Sequence, residues 1–156
     1  EKGQFESQPK MLLGVLKALR EDVANGHLQT VGELIHAAVF GDFLDQAEHL
    51  LGEGYKTPAA VIAGVSLETH LRKLCDKHSI PTEAADSKGK LKPKKADTMN
   101  AELTKAKVYS GGDQKQVTAW LDKRNDAAHG KDKHVTDPEI RLMIDGIRNF
   151  ITRHPA

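Results

Sequence analysis

The sequence predicts an all-α fold, an antiparallel helical bundle of four core helices with an N-terminal helix and a short inserted helix. Three observations lead there. Apolar residues recur with the 3.6-residue period of a helix, and no stretch shows sustained period-2 alternation. Two segments open with the form Thr-x-x-Glu, which marks helix starts. Gly or Pro marks most of the boundaries between the periodic stretches, at Gly26, Gly52 or Gly54, Pro58, Pro81, Gly111-Gly112, Gly130 and Pro138, while Gly41 sits mid-pattern in the second helix.

In chain order, the first helix is predicted from about Pro9 to Ala24, after Ser7 or Gln8 and before Gly26, with Leu12, Val15, Leu19 and Val23 as its stripe. The second is predicted to start at Thr30, where Thr30-Val31-Gly32-Glu33 has capping-box form. It carries Leu34, Ile35, Ala38, Ala47, Leu50 and Leu51 and stops at Gly52 or Gly54. Thr57 followed by Pro58 opens the third as cap and first-turn proline. Its face is Ala60, Gly64, Leu67, Leu71 and Leu74, it ends near His78, and Gly64 leaves room for a close helix neighbour.

Residues 81–96 read as a solvated, mobile basic loop, with Lys88, Lys90, Lys92, Lys94 and Lys95 around Gly89 and Pro93. A short helix over about Asp97–Val108 follows, broken by Gly111-Gly112. The next helix spans about Asp113–His129 with the stripe Val117, Trp120, Leu121, Arg124 and Ala128. The last begins at the capping box Thr136-Asp137-Pro138-Glu139 and buries Ile140, Met143, Ile144, Ile147 and Ile151. Residues 1–156 are expected to form one domain, with 1–29 as N-terminal helix and turn and 30–153 as the bundle.

Composition narrows the function. Lys plus Arg is 23 and Asp plus Glu is 22, so a polyanion would have to be held by a local patch. Cys75 is the single cysteine, which forbids an internal disulfide and argues against a cysteine metal cluster. No metal site and no cofactor are expected. No apolar run reaches the ~20 residues of a membrane span. The polar opening lacks a signal-peptide core, so a cytoplasmic protein without membrane contact is expected. Because the chain does not begin with Met, an excised piece of a longer protein or a processed start is expected.

The chemically pointed segment is Arg124-Asn125-Asp126-Ala127-Ala128-His129. Arg124 continues the apolar stripe inward, and a buried guanidinium demands a carboxylate, a phosphate or a partner surface. Asn125 and His129 are four apart and share a helix face. Gly130 suits the left-handed residue that closes a helix, which puts His129 at the negative end of the helix dipole. An imidazole is the natural acid–base group near neutral pH. Arg124 and His129 diverge by roughly 140° on one helix at ~100° per residue. A long arginine or a frayed last turn could partly close the gap, and a twofold dimer with this helix at its interface could cluster two copies of each.

Arg-Asn-x3-His at a helix end resembles the motif of the HEPN superfamily. The helix Ala63-Gly64-Val65-Ser66-Leu67-Glu68-Thr69-His70-Leu71-Arg72-Lys73-Leu74-Cys75 and the stretch Val117-Thr118-Ala119-Trp120-Leu121 are similar to those of several bacterial branches. The resemblance covers roughly residues 30–153. It implies a homodimeric bundle and a metal-independent endoribonuclease of the toxin–antitoxin, anti-phage or RNA-processing kind, with RNA as substrate and an antitoxin or fused upstream domain as a further partner. His129 would move protons, Arg124 would bind the scissile phosphate, and Asn125 would position either. Lys131 stands where some relatives have a modifiable Tyr two residues after the histidine, so that silencing is not expected here. The alternative is a non-catalytic RNA- or nucleotide-binding and dimerisation module of a larger defence or regulatory protein; a structural helical adaptor is a third.

Three residues stand as supporting or substrate-binding candidates: Glu68, Arg72 and His134. Glu68 and Arg72 form an i,i+4 pair, whose plain reading is a surface or edge salt bridge and whose alternative has Glu68 facing Arg124 and fixing its orientation. His134 could line the same cleft, although a solvated loop position is its simpler reading. The plain reading of Arg124 and His129 is a salt-bridged core arginine and a helix-capping histidine. The lysines of 88–95 would suit a phosphate-binding arm, although such runs are commonly only solvated loop. His27, His36, His49, His70 and His78 read as ordinary surface or helix-end residues, Trp120 as packing and Cys75 as a half-buried thiol.

Overall fold

The computed structural model describes residues 13, 16–18, 20–21, 23–25, 27–87, 89–131 and 135–156. The chain is mostly helical: α1 His27–Gly52, α2 Lys56–Lys77, β1 Glu83–Ala85, β2 Leu91–Pro93, α3 Ala96–Lys105, α4 Gly111–Ala128 and α5 Asp137–Arg153. It divides into two compact units, Glu1–His36 and Ala37–Ala156. Among the described residues no helix is long and apolar enough to cross a membrane.

In the first unit, the described positions between 13 and 24 are helical. Pro9 and most of the predicted stripe (Leu12, Val15 and Leu19) lie outside the described residues, and Val23 is exposed. The predicted capping box at Thr30 is overturned, because α1 starts at His27 and Thr30 is already helical.

In the second unit, the inward face of α1 is Phe40, Leu44, Ala47 and Leu51. The 4-3-4 spacing of these residues holds one stripe. Ala38, predicted to be buried on this helix, is exposed, and so is Ile35 in the first unit. Helix α2 buries the predicted set Ala60, Gly64, Leu67, Leu71 and Leu74, and adds Ala59, Ala63, Ser66, His70 and Cys75. Its first turn begins one residue before Thr57, with Tyr55 as N-cap and no side-chain cap. Pro58 still falls in that turn, where its missing N–H costs nothing.

Helix directions follow from cross-contacts. Arg148 pairs with Asp45 at 2.8 Å and Arg141 with Glu48 at 3.4 Å, so α1 and α5 are antiparallel. Lys56 donates to the Val135 carbonyl at 3.0 Å and Lys77 to that of Pro155 at 2.8 Å, so α2 and α5 run the same way. Arg153–Asp113 and Lys123–Glu139, at 2.8 and 3.0 Å, make α4 antiparallel to α5.

Helix α5 carries the centre of the core. The predicted Ile140, Met143, Ile144, Ile147 and Ile151 are buried, together with Phe150. Each such side chain contributes on the order of 2 kcal/mol of burial. Phe150 meets Tyr109 at 5.2 Å and Trp120 at 6.3 Å between ring centroids, edge to face. Trp120 packs over Gly146, where a Cβ would lie 2.5 Å from the indole. His70, expected at the surface, is fully buried and shares a 2.9 Å hydrogen bond with the His154 carbonyl. Cys75 is fully buried rather than half-buried, and burial pushes its thiol up to about 11.

The expected loop of 81–96 is instead a two-stranded antiparallel hairpin, pairing Glu83 with Pro93, Ala84 with Lys92 and Ala85 with Leu91. Its turn is set by Asp86, whose side chain accepts from the Lys90 N–H at 3.0 Å, and by Gly89 at φ +76°. Three-residue strands are too short to show a period in sequence.

Candidate functional site

Both ends of α4 are built by local sequence. At the start, the Ser110 hydroxyl accepts from the Asp113 N–H at 3.1 Å, and the Asp113 carboxylate accepts from the Ser110 N–H at 3.3 Å. This capping box makes Gly111-Gly112 the first turn of α4 rather than a spacer. Hydrogen bonds from Arg153 and then Ser110 hold the Asp113 carboxyl down at about 2. At the other end, the Lys131 N–H reaches the Asp126 carbonyl at 2.8 Å and the Gly130 N–H that of Ala127 at 3.2 Å. With Gly130 at φ +67°, this is a Schellman closure, and His129 is its C-cap.

Arg124 lies on the flank of α4 facing α2. The approach is possible because of Gly64: a Cβ there would lie 2.4 Å from Arg124 Cβ and 2.3 Å from its Cγ. The guanidinium reaches past Gly64 to Glu68, pairing through Nη2 with Oε2. The other carboxylate oxygen of Glu68 takes Arg72 Nη2 at 3.2 Å. Asn125 Oδ1 accepts from Arg124 Nη1 at 3.1 Å, and Arg124 Nε is buried with no partner. Arg124 keeps 21% of its side-chain surface exposed, Glu68 30% and Arg72 32%, so solvent reaches the cluster from one side.

Thus Arg124, Asn125, Glu68 and Arg72 come together, and Glu68 does face Arg124. His129 does not join them. It is exposed at the helix end, and among the described residues its imidazole makes no hydrogen bond or ion pair. His134 lies outside the described residues. Ala128, expected on the inner stripe, is exposed; Ala127 takes its place because the stripe drifts by one residue near the helix end. Among the described residues no group of three or more His, Cys, Asp or Glu is placed to hold a metal ion.

Sequence reasoning missed a second polar group, centred on Asn100. Its amide donates to the Gln114 carbonyl at 3.1 Å and to Thr118 Oγ1 at 3.0 Å, and its Oδ1 accepts from the Tyr109 hydroxyl at 2.8 Å. Asn100 is 1% exposed, and burial pushes the Tyr109 phenol well above its ordinary value. Nothing in the spacing of these residues marks them, since Asn100 and its partners come from three separate segments. Comparison of the chain with protein-family models, curated proteins and solved structures finds no match.

Proposed function

We propose that this chain is a metal-independent endoribonuclease of HEPN type, acting as a homodimer on RNA. The observation that supports the reading is the charge balance around Glu68. One carboxylate serves two guanidinia, so the trio carries a net positive charge on a solvent-reachable side. A phosphodiester is a fitting counterion, since guanidinium N–H groups pair with phosphate oxygens in charge-assisted hydrogen bonds. Glu68 and Asn125 hold Arg124 in one orientation before any substrate arrives, the preorganisation that transition-state charge stabilisation requires.

In this reading His129 comes from one copy and the Arg124 cluster from the other, across a twofold axis. One His129 imidazole takes the proton of a ribose 2′-hydroxyl, and the 2′-oxygen attacks the adjacent phosphorus. The bond from phosphorus to the 5′-oxygen breaks, and a protonated His129 returns a proton to that oxygen. A 2′,3′-cyclic phosphate and a 5′-hydroxyl remain. The setting is cytoplasmic, with an antitoxin or a fused upstream domain as further partner.

Cleavage of single-stranded RNA in EDTA, leaving cyclic phosphate ends, is expected. His129→Ala should lower it at least a hundredfold, with melting temperature and dimer mass unchanged. A chain that stays monomeric in light scattering at high concentration would overturn the composite site. A second reading has one observation in its favour, since Arg124 is tied to Glu68 and Asn125 without His129. That reading is a non-catalytic RNA- or nucleotide-binding and dimerisation module of a larger defence or regulatory protein. RNA that stays intact but loses binding with Arg124→Ala would establish it.

A further inference from the structure

The β1–β2 hairpin is joined to the Arg124 cluster through one side chain. Arg72 Nη2, already 3.2 Å from Glu68, lies 3.5 Å from the Lys94 carbonyl, at the outer limit of a hydrogen bond. The end of β2 therefore abuts the cluster, and the lysines of the preceding strand lead away from it. Lys90, Lys92 and Lys94 fall on one face, because side chains along a strand alternate. Their spacing is about 6.6 Å, two residues of strand rise, comparable to the repeat of phosphates along an extended single strand.

Charge accounting shows which lysines can take a ligand. Lys94 is committed to Glu102 at 2.7 Å and is 11% exposed. Lys92 pairs with Asp86 at 2.9 Å but keeps 62% of its side chain in solvent. A pair that exposed is weak and exchanges readily for a phosphate. Lys90 and Lys95 are exposed, with no ion pair among the described residues. Two available ammonium groups, Lys90 and Lys92, thus stand on an exposed hairpin whose base touches a net-positive guanidinium cluster, and Lys95 is exposed just beyond it as the N-cap of α3.

We infer that this hairpin is a docking arm for the backbone of single-stranded RNA, carrying the strand toward Arg72 and Arg124. It deepens the ribonuclease reading by assigning the path of the substrate. Recognition along the arm is electrostatic and independent of sequence, and the 4% aromatic content leaves little for base stacking.

The test uses the full chain and a fluorescent oligouridylate with 2′-O-methyl groups, which has no free 2′-hydroxyl and cannot be cleaved. Its affinity is measured from 50 to 300 mM salt, ~0.7 of log–log slope being expected for each phosphate contact. The variant Lys90→Ala/Lys92→Ala/Lys95→Ala should bind at least tenfold more weakly at low salt and lose about 2 from the slope. The matching Lys→Arg variant should retain both. An unchanged slope and affinity in the alanine variant overturns the arm, as does a wild-type chain that leaves the probe unbound or prefers poly-glutamate. If the probe binds through these lysines while ordinary RNA is never cut, the arm stands and the ribonuclease reading falls.

Discussion

Two polar groups in the same unit are built on opposite terms. Around Asn100, every bond joins neutral groups, and Asn100 and Tyr109 are themselves buried: amide to carbonyl, amide to hydroxyl, phenol to amide. Around Glu68, two guanidinia crowd one carboxylate, the cluster is partly open to solvent, and Arg124 Nε has no partner. The first arrangement is complete as it stands and fixes how α3, α4 and the 106–110 segment meet. The second is held in place yet left short of an anion. A satisfied buried network serves specificity of packing, whereas a net charge at a solvent-reachable edge is what binding requires.

That contrast can be broken from either side. Asn100→Ala should have the larger effect on stability, about 2–3 kcal/mol, because the buried Tyr109 hydroxyl loses its 2.8 Å acceptor and the Gln114 and Thr118 contacts are lost with it. Denaturant melts would measure it, and RNA affinity per folded molecule should not change. Glu68→Gln should cost about 1 kcal/mol, since the ion pairs it loosens are partly exposed. It should bind RNA more tightly and cleave it more slowly, because the cluster gains charge while Arg124 loses its orienting partner. Two variants equal in stability loss and alike in RNA behaviour would erase the distinction.

The smallest effect belongs to pH. Asp113, held at about 2 by Arg153 and Ser110, stabilises the fold fully above its ordinary 3.8. Its lowered pKa means the folded state resists protonation, so this stability is lost as pH falls from 3.8 toward 2. Asp113→Asn should flatten that part of the pH–melting curve. Glu139, held at about 2 by the Thr136 N–H and then Lys123, leaves a residual slope of the same sign.

What could be read in the residues beforehand was whatever depends on near neighbours in sequence. Helix α5 was legible throughout, since Thr136-x-x-Glu139 and the isoleucine stripe specify its start and its face together. Gly130 marked its φ, and Gly64 marked a close approach whose occupant turned out to be the stem of Arg124. Glu68 facing Arg124 was legible as a possibility because Glu68 lies one helical turn after Gly64, at the edge of the inward face. Ser110-Gly-Gly-Asp113 has the form of a capping box but was obscured by two glycines that usually break helices. Burial of His70 was hidden because its partner is a backbone carbonyl 84 positions away. The separation of His129 from Arg124 in one copy was legible as an angle. Whether a twofold mate closes that gap depends on a surface, and surfaces leave no period.

The notch at Gly146 has a practical consequence. The chain holds a single tryptophan, and its indole rests in that notch beside Phe150, on the seam between α4 and α5. Four residues further along α4 comes Arg124. Emission from Trp120 is therefore an intrinsic, label-free gauge of that seam: a shift in wavelength when an oligonucleotide is added would register any tilt of α4 against its neighbour, in the unmodified molecule and in real time.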